Sequence, residues 1–157
     1  QSMGLTGYPS TGFLDSKGQL INLITGYKTL SEFRKLLDFF ISGKYQTVDY
    51  NNFTFIIHFE NELSKAPDNT DLQFILGYVY HKIMNDYNLA SEFYNKALKD
   101  NSLQALIYVS LSELEAKNGN KEKALEYYKI ALDNGFNNFD EVNQKISEIA
   151  KKYSPKQ

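Results

Sequence analysis

Few side chains in this chain of 157 residues are of types and spacings that could do chemistry. There is no cysteine, which excludes disulfides, thiolate nucleophiles and cysteine-ligated zinc. The two histidines, His58 and His81, are too few for a histidine-based metal site. His58 is followed four residues on by Glu62. On a helix that spacing puts both on one face, where they could form an acid–base pair. The competing reading is a partly buried histidine that pairs locally. His81-Lys82 falls late in a helical segment and reads as solvated. Glu113 and Glu115 are two residues apart, and positions two apart on a helix do not face each other. Glu122, Glu126 and Lys123 read as a salt-bridged outer face. No glycine-rich phosphate loop follows a strand. The expectation is a chain without catalytic residues, metal or cofactor.

Composition narrows the partners. A formal net charge of −2 leaves no electrostatic footprint for nucleic acid or an anionic membrane. The chain has 12 tyrosines and 11 phenylalanines, which could stack on bases. Without a basic stripe that use has no support, and aromatics at helical spacing are core. No apolar run approaches the roughly 20 residues that span a bilayer, so no membrane insertion is expected, and no signal peptide is evident. Gln1-Ser2-Met3 resembles the remnant of a cleaved tag and is set aside. On that reading the natural N-terminus, with any targeting signal, is missing.

The elements that must position a site begin with a hairpin. Gly12-Phe13-Leu14-Asp15 and Leu20-Ile21-Asn22-Leu23-Ile24 are β-prone runs separated by Ser16-Lys17-Gly18-Gln19, with Gly18 free to take positive φ. Thr29 then offers a helix N-cap, with Glu32 three residues on. Phe33, Leu36, Leu37, Phe40 and Ile41 follow at helical spacing, and Gly43 suits the end of that helix. Together with Gly7-Tyr8-Pro9-Ser10 and Gly26-Tyr27, this order resembles the C-terminal part of a thioredoxin fold over residues 4–42. The resemblance implies that Pro9 is the family's cis-proline and that a Cys-x-x-Cys lies upstream. A hairpin cut from its sheet has unpaired edges, which proteins cover or pair. It should dock on the helices or on a second chain, which makes a homodimer through the hairpin one expectation.

Residues 46–52 are polar and read as loop. Phe53-Thr54-Phe55-Ile56-Ile57-His58-Phe59 could be a buried strand, but Phe55, Phe59 and Leu63 are spaced by four and predict a helix over residues 52–65. With residues 30–42 it would make a degenerate first two-helix repeat.

From residue 70 to 132 the chain is written twice. Ala90, Tyr94, Ala97 and Leu98 recur as Ala124, Tyr128, Ala131 and Leu132, an offset of 34. Such a period marks a two-helix repeat. Leu76-Gly77 with Tyr80 adds a signature, and the pattern resembles the tetratricopeptide repeat (TPR). Asn85-Asp86-Tyr87-Asn88 is a turn one residue longer than the family norm. In the second copy Ser112 and Glu115 replace the signature glycine and tyrosine, and Lys117-Asn118-Gly119-Asn120 is the turn. A last helix over residues 140–153, with Val142, Ile146, Ile149 and Ala150 inward, would cap the array.

The expectation is therefore a mainly α fold: a TPR-like α-α superhelix after a short N-terminal β-hairpin, the thioredoxin-fold C-terminal remnant. Its parts are residues 1–3 (tag remnant), 4–45 (hairpin and helix) and 46–157 (repeats and capping helix). The TPR resemblance implies a concave face that binds a peptide or partner protein. Its inner positions fall at Phe74, Tyr78, His81 and Lys82, then at Val109, Glu113 and Lys117. They lack the Lys/Asn set by which some TPR domains grip a C-terminal carboxylate, and the face could instead pack on the chain's own segments. The function expected is a scaffold without catalysis. The alternative is the C-terminal part of a thioredoxin-like oxidoreductase, for which the resemblance allows an exported location, the cytoplasm staying open.

Overall fold

In the computed structural model, residues 10–153 are described. Pro9 and residues 1–3 lie outside them. The protein is mainly helical, with one two-stranded antiparallel sheet and seven α-helices among the described residues. It divides into two compact units between Asp49 and Tyr50, four residues beyond the expected boundary.

In the first unit, β1 (Ser10–Leu14) pairs with β2 (Leu20–Thr25), with a register shift at Phe13/Leu14. The Asp15 carboxylate closes the turn by accepting from the amides of Lys17 (2.8 Å) and Gln19 (2.9 Å). Gly18 sits at φ 76°, which a side chain would disfavour. α1 (Leu30–Ile41) starts with the expected capping box between Thr29 and Glu32. The Phe13 ring lies on that of Phe40 with centroids 3.9 Å apart, so the hairpin docks on α1. Leu36, Phe39 and Phe40 are buried, whereas Ile41, expected inward, is 80 % exposed.

Residues 30–42 and 52–65, expected to pair as one repeat, fall in different compact units: α1 with the hairpin in the first, α2 (Tyr50–Lys65) in the second. The helix reading of the apolar run at residues 53–59 holds.

The second unit continues with α3 (Thr70–Val79), α4 (Tyr87–Ala97), α5 (Gln104–Lys117), α6 (Lys121–Asp133) and α7 (Asp140–Tyr153). The most extensive pairings are α5 with α6 and α3 with α4, while α2 packs on α3 and α4 on α5. Its core runs through Phe59, Phe74, Leu76, Tyr94, Ile107 and Leu111, among others. α5 is buried on most of its circumference, including Ser110, Ser112 and Glu115.

Two local features explain how the copies differ. Residues 76, 77 and 80 match 111, 112 and 115 at an offset of 35, while beyond the turn the offset is 34. The surplus residue lies in a π-turn, Tyr80–Met84, ended by Asn85 at φ 52°. A π-turn takes up one inserted residue without breaking the helix. The long turn expected at residues 85–88 is accordingly short, and α4 begins at Tyr87 under an Asp86 cap.

The other feature is Gly77. A Cβ there would lie 2.5 Å from Cδ1 and 2.8 Å from Cε1 of the fully buried Tyr94. In the second copy Ser112 donates to the Ala124 carbonyl at 2.7 Å. The matching ring, Tyr128, is 39 % exposed.

Gly77→Ala is expected to destabilise the protein. Alanine gains about 1 kcal/mol in helix propensity, but overpacking a rigid buried ring costs about 1–3 kcal/mol, and the contacts here are too short for the ring to tolerate. Urea unfolding should show a lowered midpoint for Gly77→Ala and little change for Ser112→Ala beyond one lost hydrogen bond.

Candidate functional site

The seven residues expected on an inner face divide into core and surface. Phe74, His81 and Val109 are all 0 % exposed and offer nothing to a ligand. Tyr78, Lys82, Glu113 and Lys117 remain on the face carried by α3 and α5. Lys82 and Glu113 meet as an ion pair at 2.8 Å, and the Lys117 ammonium lies 5.8 Å from the Tyr87 ring centroid.

His81, expected to be solvated, is corrected: it lies in the π-turn, where the changed helical phase directs it inward. Its ring meets Tyr87 and Tyr94 edge-on, and its Nδ1 lies 3.4 Å from the Tyr94 hydroxyl. Nε2 is buried without a hydrogen-bond partner. Burial first, then the Lys82 and Lys117 charges, push its pKa from 6.5 down to about 4.

The His58–Glu62 pair does not form a working dyad. His58 Nε2 donates to the carbonyl of Tyr153 on α7, which fixes the proton on that nitrogen. Glu62 pairs with Lys65 at 2.6 Å, and that hydrogen bond holds its carboxyl below the usual value. Lys123 reaches Glu115 rather than Glu122 or Glu126. The buried Glu115 also accepts from Asn120 at 2.7 Å. The Lys123 hydrogen bond foremost holds the Glu115 carboxyl below its usual value. No cluster of three or more His, Asp or Glu fit for a metal exists among the described residues. Likewise, no helix among them is long and apolar enough to cross a membrane.

The feature that sequence reasoning missed is α7. Expected as an end cap on the last repeat, it packs instead on α3. Asn143 lies under the Tyr78 hydroxyl at 3.4 Å, and Asn69 donates to the Tyr153 phenol at 2.7 Å, so the two helices run in opposite senses. Asp71 in the first turn of α3 accepts both Lys152 (2.8 Å) and Lys145 (3.5 Å). Val142 and Ile149 are buried beneath, with Ile146, Ala150 and Tyr153 packed partly against the core. The inward set Val142, Ile146, Ile149 and Ala150 was legible from spacing; the surface it covers was not. Only the lysines one heptad apart, with a lone aspartate at the start of α3, could have pointed to the pairing.

A groove of ≈ 550 Å³ is lined by residues of α2 and α4 with Pro67 and Gln73. It is open and mixed in charge, with Glu60, Asp68, Lys96 and Lys99 on its walls.

No family model and no curated protein sequence matches the chain.

The histidine sets a pH dependence. In the unfolded chain His81 takes its proton near pH 6.5, whereas the folded protein resists protonation until about pH 4. Its contribution to stability is therefore full above about pH 6.5 and is lost progressively as pH falls toward 4. Urea midpoints compared at pH 7.5 and pH 5 should fall for the wild type. For His81→Gln they should fall less.

Proposed function

We propose that the chain is a protein-interaction module of TPR-like two-helix repeats, α3–α4 and α5–α6, and that it performs no catalysis. Its first helices, α3 and α5, line a face that receives a helical or extended segment of a partner protein. One observation carries this reading: the α3 side of that face already holds a helix, α7, through an apolar stripe and a lysine–aspartate contact. An amphipathic helix laid on such a surface is a recurring mode of peptide recognition. The repeat offset of 34 and the close approach of α3 and α4 at Gly77 support the TPR-like architecture.

The thioredoxin-like alternative draws on the first unit, where an antiparallel hairpin is followed by a capped helix. Its dithiol would have to be supplied by residues preceding this chain, so the helical face remains the better-supported site.

Peptides selected from a display library against the full chain test the module. They should lose at least about tenfold in affinity on Tyr78→Ala or Glu113→Lys, as residues at the centre of an interface do. Lys99→Ala, in the α2–α4 groove, should leave them unchanged. Selected peptides that respond only to Lys99→Ala would place the site in that groove, and a library yielding no binder contradicts the module.

A further inference from the structure

The reading above leaves the ligand undefined, and α7 supplies its chemistry. Val142, Ile146, Ile149 and Tyr153 recur at i, i+4, i+7 and i+11 along one side of that helix. Lys145 and Lys152, at i+3 and i+10, both reach Asp71. The Asp71 carboxylate is only 18 % exposed, so the seat offers a partly shielded negative charge beside an apolar strip. The C-terminal end of the helix is read by side chains from two elements. His58 of α2 donates to the Tyr153 carbonyl, and Asn69 at the start of α3 donates to its phenol. A cation is favoured at a helix C-terminus, and here Lys152 stands at that end of α7.

We propose that the α3 face is a seat for one class of ligand, and that α7 is its resident, displaceable occupant. The ligand is an amphipathic helix of a partner protein with apolar residues at i, i+4, i+7 and i+11 and lysines at i+3 and i+10. This rests on the interaction-module reading and adds to it both the ligand's pattern and the competitor the ligand must displace.

The reason α7 can leave lies on α6. Among the described residues of the second unit, the large apolar side chains that are exposed are Leu125, Tyr128 and Leu132 on α6 and Phe139 immediately before α7. Rings continue this patch inward, since Phe136 meets both Tyr128 and Phe139 edge-on. One repeat earlier the residues matching Tyr128 and Leu132 are covered. Tyr94 is fully buried and Leu98 partly so, with α5 packed on α4. α7 follows α6 as α5 follows α4, so the repeat order gives it a place on α6. In the structure it lies on α3 instead. One apolar stripe cannot cover both surfaces, so a partner helix that takes the α3 seat leaves α7 a second surface on which to bury its own. The ion pairs that help hold α7 are made by partly exposed lysines, and pairs of that kind are individually weak. The segment joining it to α6 contains Gly135 at φ 89°.

The test uses the full chain and a fluorescein-labelled peptide of residues 140–153 as the probe, read by anisotropy. Lys145→Glu with Lys152→Glu in the chain repels the resident helix from Asp71 and leaves the seat intact. This double variant should bind the probe at least about tenfold more tightly than the wild type. Adding Asp71→Lys to it gives the resident helix its charge partner back and should abolish the gain, whereas Asp71→Lys alone should instead bind a probe carrying both glutamates. Should the double variant lose its helical circular dichroism, the wild type answers instead: excess probe should accelerate hydrogen exchange in α7 and nowhere else.

Equal binding by wild type and double variant, with α7 amides already exposed in the latter, overturns the proposal. A double variant that becomes a stable dimer also overturns it, since the occupant would be a second copy. If library peptides bind but this probe does not, the proposal falls and the module stands. If nothing binds, both fall.

Discussion

The Tyr94 ring, lying where a side chain on residue 77 would be, is the contact on which the second unit depends. It lets α3 and α4 approach closely, and it fills the space between them with a large group that α5 then covers. Three features accompany that close approach. α5 is buried on most of its circumference. The surplus residue of the first copy lies in a π-turn rather than in the loop. His81, carried on that turn, ends in the core with one nitrogen unpartnered. Where serine replaces the glycine, the matching ring is left at the surface, and the second copy ends in an uncovered apolar face.

The placement of α7 is the other half of the arrangement. Two surfaces, on α3 and on α6, could each bury its stripe. Asp71 favours α3, because it meets two lysines at once, and the Tyr153 contacts to His58 and Asn69 fix the end of the helix there. These are polar, partly exposed contacts of the kind that set register and partner choice more than they add stability. The apolar burial of Val142 and Ile149 holds the helix, and the charges determine which way it lies.

Much of this was legible in the sequence where the signal is local. The capping box at Thr29, the turn at Gly18, the helix over the apolar run at residues 53–59 and the inward stripe of the last helix all follow from spacing and residue type. What was not legible is which surfaces meet. The grouping of α1 with the hairpin turns on Phe13 stacking on Phe40, and periodicity marks a face as apolar without naming its partner. Three of the expected inner-face residues are buried for a related reason: His81 lies in the π-turn, and Phe74 and Val109 lie on α3 and α5, which are buried on most of their circumference. The position of α7 depends on contacts between residues 58–78 and 143–153, a separation no local pattern reports.

Most of the arrangement depends on the seat of α7 on α3, and the absence of cysteine from the chain makes that seat directly measurable. Spin labels attached to cysteines at the exposed Asp68 and Lys151, read by pulsed dipolar spectroscopy on the full chain, report the distance between the start of α3 and the end of α7. With α7 seated on α3, a single narrow, short distance is expected. A long or broad distribution, with the protein otherwise folded, would contradict that seat and place α7 elsewhere on the second unit.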